Sequence, residues 1–93
     1  MMKTERTKVY RVKRGQTLVE IAEHFCVSPF LLAKINGIYK EVEEGQILRI
    51  PDERGNRYVV RAGDTKILLC GSESAYEKKN GTAIFYIGMR VIL

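Results

Sequence analysis

The chain has 93 residues, enough for one small domain or two very small ones and too few for an elaborate enzyme. Apolar residues make up 45% and charged residues 29%, as in folded soluble domains rather than disordered chains. No apolar run approaches the roughly 20 residues of a membrane-spanning helix, and the charged N-terminus is not typical of a secretion signal. The sequence therefore predicts a protein made in the cytoplasm without standard export, or a fragment of a longer protein.

The net charge of +5 is concentrated at the N-terminal end. Residues 1–14 contain six basic side chains and one acidic side chain, whereas the remaining residues balance. This distribution predicts a solvated basic arm over residues 1–8 with a weak attraction to polyanions at most. Because base-stacking aromatic residues are not interleaved with the charges, no specific nucleic-acid partner is predicted.

The two cysteines and the single histidine do not form a catalytic or metal-binding pattern. A structural zinc site needs about four Cys or His ligands, so neither a metal site nor a cofactor is predicted. Cys26 and Cys70 are expected to be buried free thiols, with a disulfide between the two halves as a minor alternative. His24 and Cys26 are two residues apart and would point in different directions from a helix, which argues against a catalytic dyad.

Three short patterns occur twice in the same order, which predicts an internal duplication. YRVKRGQT at residues 10–17 returns as YVVRAGDT at 58–65, KING returns as KKNG, and GQILRI returns as GMRVIL. The offset between the two copies of a pattern decreases from the first pattern to the last, so the second copy has lost residues. The predicted organisation is a basic arm (1–8), a first repeat (9–51), a polar linker (52–56) and a degenerate second repeat (57–93).

The first repeat begins with a short β-rich strand over residues 9–13, which ends at a turn containing Gly15. Thr17 and Glu20 have the spacing of a capping box and predict the start of a helix. The apolar stripe of this helix consists of Leu18, Ile21, Ala22 and Phe25.

Ser28 and Pro29 predict the start of a second helix, as N-cap and first helical residue. Asn36-Gly37 ends this helix, since both residues tolerate the left-handed conformation, and a strand follows at 47–50. The inner face of the helix is predicted to consist of Leu31, Leu32 and Ile35.

The second repeat follows the same order with weaker signals. Thr65 can cap a helix, but Leu68 removes the capping box, and Gly71 interrupts the helical region. Ser72 is expected to cap a short second helix, followed by a closing strand over residues 89–93. The consecutive apolar residues Ile84–Ile87 are expected to be covered by the first repeat or by another molecule.

The order strand, helix, helix, strand predicts an α+β fold of two tandem βααβ units. Each unit is expected to have a two-stranded antiparallel sheet with both helices packed on one face. The acidic side chains of Glu41, Glu43 and Glu44 are expected to be solvated loop charges, because a unit this small has no cleft that could enclose a sugar between two catalytic carboxyls.

The pattern YxVxxGQTLxxIAxxFxVS at residues 10–28, followed by GQxLxIP at 45–51, resembles a LysM domain. The second copy keeps YxVxxGDT at 58–65 and resembles a degenerate LysM domain. One position departs from the family, which usually has Asp where this chain has Gln16, whereas Asp64 conforms.

The resemblance implies a non-catalytic module that binds glycans containing N-acetylglucosamine, such as peptidoglycan or chitin, at a bacterial cell wall or spore envelope. In this family the glycan lies in a shallow groove between the strand-to-helix loop and the loop after the second helix. The implied glycan-binding residues are Gly15, Gln16, Thr17, Leu18, Gly37, Ile38 and Tyr39. A weaker second site would consist of Gly63, Asp64, Thr65, Gly81 and Thr82. The alternative function is a scaffold module that contacts another envelope protein, or a second copy of itself, through Ile84–Ile87.

Overall fold

The computed structural model describes residues 8–52 and 54–93. The predicted basic arm, apart from Lys8, lies outside the described residues. The fold class is α+β with two βααβ units, as predicted from the sequence. The elements in chain order are β1 (Lys8–Arg11), α1 (Leu18–Phe25), α2 (Pro29–Asn36), β2 (Ile47–Ile50), β3 (Arg57–Val59), α3 (Lys66–Cys70), α4 (Glu73–Asn80) and β4 (Arg90–Ile92). Among the described helices none has the length and apolar character to span a bilayer.

Each unit has one antiparallel pair of strands and a small core of its own. β1 pairs with β2, which places Tyr10 opposite Leu48, and β3 pairs with β4, which places Tyr58 opposite Val91. The core of the first unit contains Val12, Ile21, Ala22, Val27, Leu32, Val42, Leu48 and Ile50. The core of the second unit contains Val60, Tyr76, Met89 and Val91.

Local hydrogen bonds determine where β1 ends and α1 begins. Thr17 Oγ1 accepts the N–H of Glu20 at 3.2 Å, and Glu20 Oε1 accepts the N–H of Thr17 at 2.9 Å, so the predicted capping box is confirmed. β1 ends at Arg11 rather than at the predicted residue 13. The reason is that the Lys13 N–H donates to the side chain of Gln16 at 2.8 Å and has already left the sheet.

Helix α2 has the predicted bounds and one misassigned residue. Ser28 caps it, and Pro29 is its first residue. The prediction that Ile35 faces the core is wrong, because Ile35 is 36% exposed. Asn36 rather than Ile35 reaches β2, where its side chain bonds to the backbone, and the buried apolar residues of the helix are Leu31 and Leu32.

An asparagine at the end of the second helix closes both units in the same way. The Asn36 amide donates to the carbonyl oxygens of Leu32 and Arg49, both at 2.9 Å, and its oxygen accepts the Arg49 N–H at 2.8 Å. Asn80 repeats this arrangement, with bonds of 3.0 Å and 2.7 Å to the backbone of Ile92. Each asparagine therefore holds the helix end against the closing strand.

The second unit is shortened in its first helix. The prediction of a short second helix is wrong. Helix α3 has five residues and ends at Gly71, whose φ of 89° closes it in the left-handed conformation. Helix α4 has eight residues, as many as α2, because Ser72 caps it at once after the break. Thr65 caps α3 without a capping box, and β4 covers three of the five predicted residues.

Contacts between the units join the α1–α2 region to α4 and β4. The backbones approach closely at Gly81, where an added Cβ would lie 2.5 Å from Leu31 Cα, so that only glycine fits. Three further contacts are Ser28 Oγ to the Asn80 carbonyl at 2.6 Å, the Gly55 N–H to the Cys26 carbonyl at 3.1 Å, and Arg90 to Glu23 at 2.9 Å.

The first unit does not cover the apolar run of the second unit, which excludes one of the two covers that we expected. Phe85 packs on Tyr76 in the core, whereas Ile84, Tyr86 and Ile87 are exposed by 50%, 59% and 67%. The first unit contacts Asn80 and Gly81 at the C-terminal end of α4, and the loop then folds back onto α4, where the Ile84 carbonyl accepts the Tyr76 hydroxyl.

The expectation of two buried thiols is wrong for Cys26. This residue is exposed, and its φ of 57° makes it the left-handed C-cap of α1. Cys70 lies partly buried in α3, where desolvation raises the pKa of its thiol. Both cysteines are free.

Candidate functional site

Two loops of the first unit contain the residues predicted to bind glycan. Gly15 (φ 81°) turns the chain from β1 into α1, and Gly37 (φ 62°) ends α2. A Cβ at either glycine would meet nothing within 4 Å, so the backbone of both loops is open on that side. Thr17 caps α1 and Leu18 packs partly against the core. The first loop is therefore open at Gly15, whereas the N–H groups of Gln16, Thr17 and Leu18 already have acceptors within the protein.

The second loop borders an open cavity of about 340 Å³. Ile38 is half-buried against the core, whereas Tyr39 is 98% exposed and contributes an aromatic surface with almost no packing. The complete lining consists of Asn36, Gly37, Ile38, Tyr39, Lys40, Glu41, Glu43 and Gln46. The structure thus brings together the three predicted residues of the second loop, but the lining does not include the first loop.

Glu41 connects the two loops, a role that the sequence did not indicate. Its Oε1 accepts the N–H of Leu18 at 2.7 Å and the N–H of Val42 at 3.0 Å. The sequence predicted a solvated loop charge and could not reveal the bond, because Leu18 lies 23 residues away and no local spacing connects the two residues. Across residues 8–52 and 54–93, no group of three or more His, Cys, Asp or Glu could hold a metal ion.

Gln16 and Asp64 have equivalent positions and form equivalent bonds. Gln16 Oε1 accepts the Tyr10 hydroxyl at 3.0 Å and a backbone N–H of its turn at 2.8 Å. Asp64 Oδ2 accepts the Tyr58 hydroxyl at 2.6 Å and a backbone N–H of its turn at 2.8 Å. Both side-chain oxygens therefore hold the turn in place, and the exchange of Asp for Gln leaves this geometry intact.

The charge of Asp64 makes the second of these turns sensitive to pH. The hydrogen bond from Tyr58 lowers the pKa of Asp64, and the bond from the Arg61 backbone lowers it further. The same bond to Asp64, together with desolvation, raises the pKa of Tyr58. The corresponding turn of the first unit has no such charge, because Gln16 is neutral.

The second unit presents a different surface at the corresponding place. Gly63 is open like Gly15, but Gly81 packs against Leu31 and is not open like Gly37. Thr65 caps α3, and Thr82 Oγ1 accepts the N–H of Ile84 at 3.1 Å. The last turn of each unit contains a glycine, Gly45 in the first and Gly88 in the second. When the units are aligned on these glycines, the acidic residues Glu41, Glu43 and Glu44 correspond to Ile84, Tyr86 and Ile87.

The family model that matches this chain is the LysM domain, over residues 10–51. These residues contain both loops and the cavity described above. The first unit is a LysM domain. LysM domains are glycan-binding modules rather than catalysts, so membership supports a binding role at the level of the family.

Comparison with complete proteins adds little to the LysM match. None of the curated proteins matches the chain. Among solved structures, the spore cortex-lytic enzyme SleL of Bacillus megaterium QM B1551 has a TM-score of 0.47 and 27% identity over 94% of this chain and 22% of the enzyme. SleL of Bacillus cereus has a TM-score of 0.47 and 21% identity over 95% of this chain and 23% of the enzyme. The chain thus spans less than a quarter of either enzyme.

Proposed function

We propose that the LysM domain binds glycans containing N-acetylglucosamine, such as peptidoglycan or chitin, without cleaving them. Binding takes place between the loop at Gly15–Leu18 and the loop at Gly37–Tyr39. In this proposal residues 9–51 carry the principal site and residues 57–93 are a degenerate second copy with a weaker site or none. The protein, or a longer parent, is thereby anchored to a bacterial cell wall or spore envelope.

The observation that carries this proposal is the LysM match over residues 10–51, which include both loops. The geometry agrees with a sugar ligand. The open side of Gly15 and of Gly37 leaves room beside the loop backbone for an acetamide, which has one donor and one acceptor. Ile38 and Tyr39 provide apolar surface for its methyl group and for the sugar ring.

The test is a titration of the ¹⁵N-labelled full chain with an N-acetylglucosamine pentamer, followed residue by residue by NMR. We expect shift changes at Gly15–Leu18 and at 37–40, with a Kd on the order of micromolar to millimolar because one shallow groove offers few anchors. Tyr39→Ala should weaken binding without loss of stability, whereas Tyr86→Ala is the matched control in the second unit. Shift changes confined to residues 57–93, or none, would contradict the proposal.

A second candidate function is assembly through the second unit, and the exposed apolar side chains favour it. Ile67 and Leu68 on α3 and Ile84, Tyr86 and Ile87 on the following loop are all at least half exposed. Sedimentation over a concentration series tests self-association, which Ile87→Lys should weaken and Ile35→Lys in the first unit should not. A wild-type chain that stays monomeric at all concentrations would argue against self-association.

A further inference from the structure

The Glu41 carboxylate accepts a hydrogen bond from a backbone N–H at the start of helix α1. The first N–H groups of a helix have no partner within the helix, and the helix dipole favours a negative charge beside them. Leu18 is the first residue of α1, and its N–H donates to Glu41 Oε1 at 2.7 Å. A charged acceptor at this distance forms a stronger bond than a neutral one.

The same carboxylate lies between the cavity and the first loop. Glu41 lines the cavity together with residues of the second loop, and its carboxylate accepts the Leu18 N–H of the first loop. The Glu41 residue as a whole is exposed, so its side chain has room to turn away into solvent. A ligand that bonds to the Leu18 N–H would therefore have to displace the carboxylate.

We propose that Glu41 is an internal competitor of the ligand and thereby determines the affinity of the site. This inference rests on the proposed function, since it concerns a glycan bound between the two loops. The neutral acetamide oxygen of N-acetylglucosamine has to replace the Glu41 carboxylate at the Leu18 N–H. Because the displaced bond is charge-assisted, part of the binding free energy is spent on breaking it, and the observed affinity is lower.

The second unit offers an internal comparison. Ile84 stands at the position that corresponds to Glu41, and its side chain has no acceptor for a backbone N–H. The carboxylate therefore belongs to the first unit alone, and the βααβ fold of the second unit forms without it. Removal of the Glu41 carboxylate is accordingly expected to leave the first unit folded.

The experiment compares Glu41→Ala, Glu41→Gln and Glu44→Ala with the wild-type chain in titrations with the N-acetylglucosamine pentamer. Glu41→Ala should bind about fivefold more tightly, because one charge-assisted bond no longer has to be broken. Glu41→Gln keeps a neutral acceptor and should lie between this variant and the wild type. Glu44→Ala removes the same charge from the same loop and should bind like the wild type.

Amide hydrogen exchange of the free proteins gives a readout without ligand. Exchange at Leu18 should be faster in Glu41→Ala and unchanged in Glu44→Ala, while the amides of the core strand β2 stay protected in both. Equal or weaker binding by a folded Glu41→Ala overturns the competitor role and leaves the proposed function standing. Equal gains in Glu41→Ala and Glu44→Ala also overturn it, because the effect is then one of overall charge. If neither the wild type nor any variant binds, the proposed function and this inference fail together.

Discussion

At the scale of single residues, polar side chains rather than apolar ones determine how each unit closes. Asn36 and Asn80 each form three hydrogen bonds that join a helix end to a strand. They differ in burial, since Asn80 is 1% exposed and Asn36 lies nearer to solvent.

This difference predicts unequal effects of substitution. Asn80→Ala should reduce the free energy of unfolding by about 2–3 kcal/mol, because it leaves buried backbone groups of Ile92 without a partner. Asn36→Ala should cost about 1–2 kcal/mol, since water can reach part of its site. Urea denaturation measures both values, with the exposed Asn56→Ala as control. A loss for Asn80→Ala no larger than that of the control would contradict the prediction.

The turn at Asp64 predicts a stability that depends on pH. Since hydrogen bonds from Tyr58 and from the Arg61 backbone lower the pKa of Asp64 in the folded state, this group stabilises the fold above its unfolded pKa of about 4. The stabilisation is lost as the pH falls through the lower, folded-state pKa. Measurements of Tm between pH 7 and pH 2 should show a smaller acid-induced decrease for Asp64→Asn. Gln16→Asp should show a larger one, and identical profiles for all three proteins would refute this account.

At the scale of elements, the sequence predicted helix starts and ends well because these signals are local. The capping box at Thr17, the N-cap at Ser28 and the glycine at position 37 each act within a few residues. The bonds of Asn36 to Arg49 and of Glu41 to Leu18 join residues 13 and 23 positions apart, so short-range patterns could not reveal them. The site could therefore be predicted as two loops, but not the carboxylate that joins them.

The turn between β1 and α1 predicts a strong effect at Gly15. Its φ of 81° is unfavourable for a β-branched residue, although there is space for a side chain. Gly15→Val should therefore reduce the free energy of unfolding by about 1–3 kcal/mol through backbone strain alone. Gly15→Asn should cost less, because asparagine tolerates positive φ. Thermal denaturation compares the two, and equal losses would show that a cause other than the backbone conformation dominates.

At the scale of the whole molecule, the contacts between the units predict one cooperative unfolding transition. A buried hydrogen bond from Ser28 to Asn80 and the close packing of Gly81 on Leu31 join two cores that are each small. NMR signals of Leu48 and Val91 should therefore disappear at the same urea concentration. Gly81→Val should separate the two midpoints, since its side chain cannot fit against Leu31. Two midpoints in the wild-type chain would mean that the units unfold independently.

The exposure of Cys26 makes the junction between the units accessible to thiol chemistry. Its carbonyl accepts the N–H of Gly55, so its side chain stands beside the connection between the units, whereas Cys70 is partly buried and burial raises its thiol pKa. Since thiolates are the reacting species, a maleimide dye at neutral pH should modify Cys26 well before Cys70, as mass spectrometry of timed digests would show. A label placed there would report, without any engineered cysteine, on how the junction changes when the chain meets a polymer. Faster labelling of Cys70 would show that its helix opens more readily than the junction.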